Sequence, residues 1–539
     1  MTRGSDEDGT PTRRTGLRPV AAVPPRGRAA HPSAHRPTLV RRKGRLTLVN
    51  GSMTPAEATR ADLLAVADAL ESAGIELLLV EGSGDRPVIA VDAAERGHVR
   101  GVLVAALGHE PFYAKARGQA AVPLADGRLA ERGKPRVIRL FRPRVEPVGG
   151  LAYGAKQAVQ LEFWRWDDHL VEPPVENALT RRVLPRGEVR LTTVVRHGRT
   201  WRTIAPMFRP TSDRVSFDVD MVFSWVDGTD VEFQRARAAR MASYVVGEGD
   251  DHAARYRQID ELRYALRSVH LFAPWVRRVF IATDSPAPSW LAADDRVTIV
   301  RSEEFFGDRG VLPTHNSQGV ESQLHRIDGL ADHYLYSNDD MFFGRPVAPE
   351  MFFTPGGGTR WVPATTRIGL GAPDRTRSGF ENSARVNRAL IEDRYGVTIT
   401  RHLEHCAAPF SKAVVRELEA EFAVDFARTA ASPFRSATDI SVTNSLYHYY
   451  ALLTGRASIN DAARVKYIDT TSRAGLAAMD RLLAKRDHDM FCLNDGSFPE
   501  VSAEERSMLV RGFLDRYFGI RAPWERADAA SAPLAVGGR

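Results

Sequence analysis

An apolar, aromatic-rich run that ends in two adjacent acids lies past the middle of the chain: His333-Tyr334-Leu335-Tyr336-Ser337-Asn338-Asp339-Asp340-Met341-Phe342-Phe343. The run predicts a buried strand whose carboxyl end carries Asp339 and Asp340 into the crevice where open α/β sheets bind ligands. Adjacent carboxylates repel each other, so a cation that neutralises them is one explanation, and oxygen ligands suit Mg²⁺ or Mn²⁺. A solvated turn is the other explanation, and this stretch alone does not separate the two.

Two further predicted strands, residues 217–228 and 276–284, also end in acids, Asp227 and Asp284. Strands alternate with helical patterns over about 125 residues, which predicts an α/β fold with a mostly parallel sheet. Because the carboxyl ends of parallel strands meet at one edge, we expect these acids to share a rim with Asp339 and Asp340.

The segments between these strands carry further candidates. A helix over 256–271 places Arg263 and Arg267 four residues apart, on one face. His405 has the side-chain type whose ordinary pKa suits a general base near neutral pH. Carboxylates with a cation, paired arginines and a histidine form a set suited to holding a diphosphate and moving a phosphoryl group. Each residue taken singly has a structural explanation as well.

The charge distribution argues against nucleic-acid binding. The 539-residue chain has a net charge of +7, but residues 1–45 contain eleven Arg or Lys and three acids, so the remainder sums to −1. The folded part therefore lacks the basic footprint of a nucleic-acid-binding protein.

No apolar run is long enough to span a membrane, and the N-terminus lacks the apolar core of a secretory signal. We therefore expect a cytoplasmic protein, with attraction of the basic tail to acidic lipid at the inner face of the membrane as an alternative. The chain has two cysteines, Cys406 and Cys492, which predicts buried free thiols and no structural zinc.

The chain divides by composition into five parts. Residues 1–50 are rich in Arg, Pro and Gly and predict a disordered basic tail. Residues 54–150 predict a small α/β unit that opens with a helix capped by Thr54, and 151–212 a hairpin-rich connection with a turn at His197-Gly198. Residues 213–525 predict the catalytic domain, with 354–385 as a loop over the crevice. Largely helical additions follow towards the C-terminus, among them a helix from Ser411 through Phe426. Residues 526–539 predict a frayed tail.

Several ordered motifs of the second half resemble the signature blocks of the Stealth family, bacterial capsular and exopolysaccharide sugar-phosphate transferases related to the catalytic subunit of lysosomal-enzyme N-acetylglucosamine-1-phosphotransferase. The motifs include Ser224-Trp225-Val226-Asp227-Gly228-Thr229-Asp230, Glu261-Leu262-Arg263-Tyr264-Ala265-Leu266-Arg267-Ser268, Leu312-Pro313-Thr314-His315-Asn316-Ser317, Glu321-Ser322-Gln323-Leu324-His325-Arg326-Ile327 and Ser337-Asn338-Asp339-Asp340. Residues 405–455, 466–468 and 491–495 are similar to the later blocks.

The resemblance implies a Rossmann-like sheet of the GT-A type that binds a nucleotide sugar. It implies an enzyme that moves sugar 1-phosphate from a nucleotide sugar, typically a UDP-sugar, to a glycan hydroxyl and releases UMP. Carried over by position, the resemblance implies that His405 is the base, that Arg435 is a phosphate clamp and that Asp439 orients it. It implies that Asp339 and Asp340 are the metal ligands, with Asp340 also counted as catalytic. The residues that would bind the nucleotide-sugar donor are Asp227, Arg263, Arg267, Asn316, Glu321 and His325. For Glu321 and His325, a structural pair is an equal alternative.

Two other functions stay open from the sequence. A glycosyltransferase could use the same acids and nucleotide sugar while attacking the anomeric carbon, and would release UDP. A carbohydrate-binding protein without catalysis would leave the acids merely solvated.

Overall fold

The computed structural model describes residues 38–228, 230, 235, 259–496 and 499–526. The chain forms two compact units that divide between Phe208 and Arg209, close to the boundary predicted between residues 212 and 213. The predicted basic tail up to residue 37 and nearly all of the predicted tail 526–539 lie outside the described residues. No helix among the described residues is long and apolar enough to cross a membrane.

Described residues of the first unit form helices α1 (Pro55–Ser72) and α2 (Arg96–Leu107), an eight-stranded sheet, a four-stranded sheet and a two-stranded hairpin. The strands are β1 (Leu39–Arg42), β2 (Arg45–Val49), β3 (Leu78–Val80), β4 (Val88–Asp92), β5 (Tyr113–Lys115), β6 (Val122–Pro123), β7 (Val137–Phe141), β8 (Arg144–Val145), β9 (Ala152–Tyr153), β10 (Val159–Trp166), β11 (Leu170–Glu172), β12 (Leu184–Pro185), β13 (Leu191–Arg196) and β14 (Arg199–Ile204).

Helix α1 begins as its sequence predicts. The Thr54 hydroxyl accepts a hydrogen bond from the Glu57 N–H at 3.2 Å, and the Glu57 carboxylate accepts one from the Thr54 N–H at 2.8 Å. Pro55 occupies the first helical position, where its missing N–H costs no hydrogen bond. The apolar face of the helix, which includes Leu63 and Val66, is fully buried.

Two predictions for this unit are wrong. Residues 39–49 are not part of a disordered tail, because β1 and β2 pair with each other and β2 pairs with β8. Residues 151–208 are not a separate connection, because β10 pairs with both β4 and β7. The Arg-rich composition hid the apolar alternation of the first segment, and the partners of the second are distant in sequence. The hairpin prediction is confirmed: β13 and β14 flank His197 and Gly198, both with positive φ.

A buried carboxylate ties α1 to the strands of the first unit. Asp62 is 1% exposed and accepts hydrogen bonds from Arg142 Nε and Arg144 Nη2, both at 2.7 Å. Arg144 is itself buried. Removing one partner of such a group leaves buried charge without compensation, which is costly.

We therefore expect Asp62→Ala to lower the free energy of unfolding of this unit by about 3–5 kcal/mol. Hydrogen exchange of peptides from α1 measures the change within the full-length protein. Asp68→Ala is the control, because Asp68 is exposed and pairs at the surface with Arg199, so its loss should cost about 1 kcal/mol or less. Equal losses of protection in the two variants would contradict this account.

The second unit combines a mostly parallel sheet with helices. Its described helices are α3 (Glu261–Phe272), α4 (Ser302–Phe305), α5 (Ser317–Gln323), α6 (Gly379–Tyr395), α7 (Lys412–Glu421), α8 (Ala423–Ala431), α9 (Tyr447–Leu453), α10 (Arg473–Lys485) and α11 (Ala503–Tyr517). Its strands are β15 (Val219–Ser224), β16 (Val279–Ala282), β17 (Val297–Val300), β18 (His333–Asn338), β19 (Met341–Phe343), β20 (Thr359–Trp361), β21 (Pro363–Arg367), β22 (Arg401–Leu403), β23 (Ala408–Ser411), β24 (Ala457–Ile459), β25 (Val465–Asp469) and β26 (Met490–Asn494).

The central sheet has the strand order β17-β16-β15-β18-β23, in which the first four strands are parallel and β23 is antiparallel. The predicted α/β class with a mostly parallel sheet is confirmed. A smaller sheet, β19-β26-β25, begins directly after Asp340 and brings the C-terminal strand β26 next to it.

Two local predictions in this unit need correction. Residues 354–385 do not form one loop: they contain β20, β21 and the start of α6. Strand β20 pairs with β24, about a hundred positions later, so no local pattern announces it. The single helix expected to begin at Ser411 is two helices, α7 and α8, which meet at Phe422.

Candidate active site

The carboxyl ends of the parallel strands form one rim, as predicted. Ser224 at the end of β15 is in register with Ala282 of β16 and with Asn338 of β18. The acids that follow these strands therefore lie along the same edge of the sheet. At this edge the Asp227 N–H donates to the Ser285 hydroxyl at 2.9 Å, which joins the loops after β15 and β16.

Asp339 and Asp340 form the turn between β18 and β19, beside a third acid at the start of α3. Burial raises the pKa of Asp339 to about 7, and the neighbouring charge of Asp340 contributes to the rise. Burial and the charge of Asp339 raise the pKa of Glu261 to about 7. Glu261 was not predicted as a site residue, although an acid at the start of a helix that follows a rim strand was a usable signal.

Asp340 is held from strand β26. The Cys492 thiol donates to Asp340 Oδ2 at 3.4 Å, and the Leu493 N–H donates to the Asp340 carbonyl at 3.0 Å. Asp340 Oδ1 is buried and has no hydrogen-bond partner among the described residues. Burial raises the pKa of Asp340 to about 6. A buried carboxylate oxygen without a partner is an expensive arrangement unless a ligand satisfies it.

The donor set at this turn fits a hard divalent cation. Among the described residues, no three His, Cys, Asp or Glu side chains form a ready-made metal site. Mg²⁺, however, commonly takes one or two carboxylates and completes its shell with water and substrate phosphates. Asp339 and Asp340 can supply those two carboxylates. Oδ1 of Asp340, which has no hydrogen-bond partner among the described residues, is the atom best suited to bind the cation.

The raised pKa values predict a specific pH dependence of stability. Because the folded carboxyl groups hold their protons to higher pH than the unfolded chain does, the folded state is favoured at low pH and loses this advantage as the pH rises through 6 and 7. In chelator, we expect the melting temperature to fall between about pH 5 and pH 8. Asp339→Asn should raise the melting temperature at about pH 8 by about 2 °C or more.

Differential scanning fluorimetry across this pH range checks the expectation. Asp332→Asn is the control, because Asp332 is an acid just before β18, at the opposite end of the strand. A pH profile that Asp339→Asn leaves unchanged would show that the acids at the turn do not titrate as stated.

Arg435 lies in a second group of polar side chains, around the start of α5. Arg435 Nη2 donates to the Ser317 hydroxyl at 2.7 Å, and the charge of Arg435 acts on the buried carboxyl of Glu321. Burial nevertheless raises the pKa of Glu321, which also accepts a hydrogen bond from the Thr443 hydroxyl. Glu321 therefore lies beside the predicted phosphate clamp, whereas His325 meets a different acid, Glu419.

Asp439 organises the loop that carries Arg435. The Asp439 carboxylate accepts hydrogen bonds from Asn316 Nδ2, the Ser432 hydroxyl and the Ser436 N–H, all at 2.8 Å. Burial raises the pKa of Asp439 to about 6. Asp439 thus holds the backbone next to Arg435. Asn316 is 1% exposed and its amide is taken up by Asp439, so its predicted place in the crevice wall is corrected to a supporting one.

His405 lies between two aromatic neighbours. Its ring centroid is 5.3 Å from that of Tyr467 and 6.2 Å from that of Phe380. Burial lowers the pKa of His405, so the imidazole is neutral at neutral pH and can accept a proton. The Tyr467 hydroxyl accepts a hydrogen bond from Asn494 Nδ2 at 2.6 Å, which links this neighbour to the end of β26, the strand that also holds Asp340.

Three predicted donor-side residues are engaged elsewhere. Arg263 Nε and Arg267 Nη2 each donate to Glu525 Oε2 at 2.7 Å, and Arg267 is buried. The two arginines do share one helix face, but that face packs on the C-terminal segment, so their predicted diphosphate contact is wrong. His325 is 2% exposed and its Nε2 lies 2.9 Å from Glu419 Oε2, so its predicted place in the crevice is also wrong.

Family models match the chain in four consecutive regions of the second unit. They are Stealth protein conserved regions 1, 2, 3 and 4, which match residues 217–245, 255–361, 404–452 and 480–533. Within the first match, residues 229, 231–234 and 236–245 lie outside the described residues. Asp340, His405 and Arg435 all fall within matched regions.

Curated relatives match along nearly the whole chain. Exopolysaccharide phosphotransferase CpsY of Mycobacterium tuberculosis is 54% identical over 505 residues, which cover 93% of this chain and 95% of that protein. Exopolysaccharide phosphotransferase of Nocardia farcinica is 54% identical over 483 residues, 90% of each chain. Exopolysaccharide phosphotransferase SCO2592 of Streptomyces coelicolor is 38% identical over 504 residues, 91% of this chain and 53% of that protein.

Among solved structures, a crystal structure of the galactosyltransferase LgtC in complex with donor and acceptor sugar analogues matches with a TM-score of 0.27 and 11% identity, over 56% of this chain and 96% of that one. The family rests on the ordered conserved regions and on the full-length relatives. The chain belongs to the Stealth protein family.

Proposed function

We propose that the protein is an exopolysaccharide phosphotransferase, which moves sugar 1-phosphate from a nucleotide sugar, a UDP-sugar by preference, to a glycan hydroxyl and releases UMP. The observation that carries the proposal is that a group of carboxylates suited to a cation and a histidine suited to act as a base are linked by contacts in the second unit. Asp340 and its neighbouring acids approach His405 through Cys492, Asn494 and Tyr467. The names of the relatives support the same reaction class.

The acids belong to the donor side. Asp339 and Asp340 would hold a Mg²⁺ or Mn²⁺ ion, with Asp227 on the neighbouring loop facing the nucleotide. When bound, such an ion neutralises the charge of the donor diphosphate. Glu261 adds a third carboxyl group, and burial raises its pKa to about 7. A bound cation would favour the ionised form of this group and so lower its pKa.

Arg435 and His405 belong to the transfer itself. The acceptor oxygen attacks the β-phosphorus, the bond from that phosphorus to the oxygen bridging it to the α-phosphorus breaks, and UMP leaves with the bridging oxygen. His405 takes the proton of the attacking hydroxyl, for which its neutral imidazole is suited. The Arg435 guanidinium, fixed by Ser317, offsets the negative charge on the transferring phosphoryl oxygens.

The test is to identify the nucleotide released. The full-length protein is incubated with a panel of nucleotide sugars, glycan acceptors and Mg²⁺ or Mn²⁺, and the products are separated by ion-exchange chromatography. We expect UMP, and no UMP from a His405→Ala variant. UDP as the sole nucleotide would instead establish attack on the anomeric carbon, and a lack of turnover with every donor would favour a binding protein.

A further inference from the structure

Three arginines of the second unit hold a loop by its backbone carbonyl groups. Arg385 Nε donates to the Leu370 carbonyl at 3.2 Å, Arg388 Nη2 donates to the Gly369 carbonyl at 3.0 Å, and Arg377 donates to the Ala372 carbonyl. We call Arg377, Arg385 and Arg388 the arginine cluster. Carbonyl oxygens satisfy the N–H groups of a guanidinium, but they leave its positive charge uncompensated.

The positive charge of the cluster exceeds the negative charge of the acids around it. Arg385 is 6% exposed, and the carboxylate oxygen with which it forms a long ion pair, Glu381 Oε1, is 4.0 Å away on a half-exposed side chain. Burial lowers the pKa of Arg385, and the charge of Arg377 lowers it further. Asp374, the other acid of the loop, accepts from the backbone and hydroxyl of Thr376. Arg385 is buried, and Arg377 and Arg388 are half-buried beside it. Positive charges grouped in this way favour the binding of an anion.

Two glycines shape the loop that the arginine cluster holds. A Cβ atom on Gly369 would lie 2.2 Å from Arg385 Nη2. Gly371 has a φ of +83°, in the left-handed region that favours glycine. The loop therefore follows a path that its two glycines permit, and this path keeps the arginine cluster in place.

The arginine cluster adjoins the transfer residues through the start of α6. The side chain of Arg435 packs on Gly379, where a Cβ atom would lie 2.6 Å from the Cβ of Arg435. The next residue, Phe380, stacks on His402 at 4.7 Å and contacts His405. Burial, then the charges of His405 and Arg385, lower the pKa of His402 to about 4. His405 therefore contacts Tyr467, which leads to the acids at the turn, and Phe380, which lies next to the arginine cluster at the start of α6.

We propose that the arginine cluster binds a phosphate diester or monoester of the acceptor, next to the sugar whose hydroxyl attacks. The inference rests on the proposed function, whose product is a glycan that carries a phosphodiester and can serve as the acceptor of a following round. Guanidinium groups match phosphate oxygens by geometry as well as by charge. The diphosphate of the donor could also bind guanidinium groups, but in the proposed function Asp339 and Asp340, through their cation, and Arg435 already bind it. The enzyme would therefore extend anionic chains in preference to starting on neutral ones.

A binding measurement tests this without relying on turnover. Isothermal titration of the full-length protein at low salt uses a glycerol phosphate oligomer as the phosphodiester probe, UMP as the donor-side probe and a neutral dextran oligosaccharide. The test variant is Arg377→Gln combined with Arg388→Gln. The control combines Arg326→Gln with Arg456→Gln, which removes the same charge from two arginines paired with Glu419 and Glu417.

We expect the test variant to bind the oligomer about tenfold more weakly or worse, while UMP affinity stays unchanged and the control variant matches the wild type. Gly369→Ala should weaken oligomer binding in the same way, and Gly356→Ala should not, because a Cβ atom there meets nothing within 4 Å. The inference is overturned if the wild type does not bind the oligomer, if the control loses as much affinity as the test variant, or if the loss falls on UMP. A wild type that binds the oligomer but transfers no sugar phosphate would refute the proposed function and leave the anion site standing.

Discussion

Replacing Asp340 with asparagine is expected to lower kcat by about a thousandfold or more, which is about 4 kcal/mol of transition-state stabilisation. The substitution keeps the shape of the side chain but removes the charge that a cation needs. It leaves the Leu493 N–H bond to the Asp340 carbonyl in place, because that bond is made by the backbone. The folded structure should therefore survive.

Steady-state rates at saturating donor, together with a melting curve, check this expectation. Removing a buried charge should keep or raise the melting temperature, since burial raises the pKa of Asp340 to about 6 and its ionisation costs stability above that pH. Asp332→Asn, at the opposite end of β18, should retain wild-type rates. An Asp340→Asn enzyme with a rate close to that of the wild type would exclude Asp340 from the site.

Arg435→Lys is expected to lower kcat by about a hundredfold or more, with a smaller change in KM. A lysine keeps the charge but loses the forked geometry with which Arg435, bound to Ser317, would also hold the phosphoryl oxygens in the proposed reaction. The effect should fall on kcat because the charge on those oxygens is greatest in the transition state.

Gly379→Ala offers an independent check on the same role. Its Cβ atom would collide with the Arg435 side chain, at 2.6 Å from Cβ and 2.9 Å from Cδ, so Arg435 must shift although it is still present. We expect a reduction of kcat in the same direction, and none for Gly356→Ala. A fully active Gly379→Ala enzyme beside an impaired Arg435→Lys enzyme would mean that Arg435 acts in catalysis from a position other than the one packed on Gly379.

The central sheet and its rim were predictable because the signals are local. The run ending at Asn338 is apolar and aromatic, and the acids that follow it mark the strand end. Parallel register then brings these acids together without further information. The Asn316 side chain caps α5, but its amide also donates to Asp439, far along the chain, and no local pattern predicts that contact.

Long-range contacts account for the errors. The spacing of Arg263 and Arg267 correctly placed both on one helix face, but it could not show that Glu525, far along the chain, meets that face. His325 likewise meets Glu419 from another helix. A side chain that looks free in the sequence is available for a substrate only if no distant partner reaches it. The family resemblance supplied His405 and Arg435, for which no local pattern was sufficient.

The position of the transferred phosphorus tests the central claim most directly. A UDP-sugar labelled with ³²P at the β-phosphorus is incubated with the full-length protein, the acceptor glycan and Mg²⁺ or Mn²⁺, and the label is then located. Attack on the β-phosphorus predicts the label in the glycan, in a phosphodiester that resists alkaline phosphatase, with unlabelled UMP as the other product. Label recovered in UDP, with an unlabelled glycan, would contradict the account.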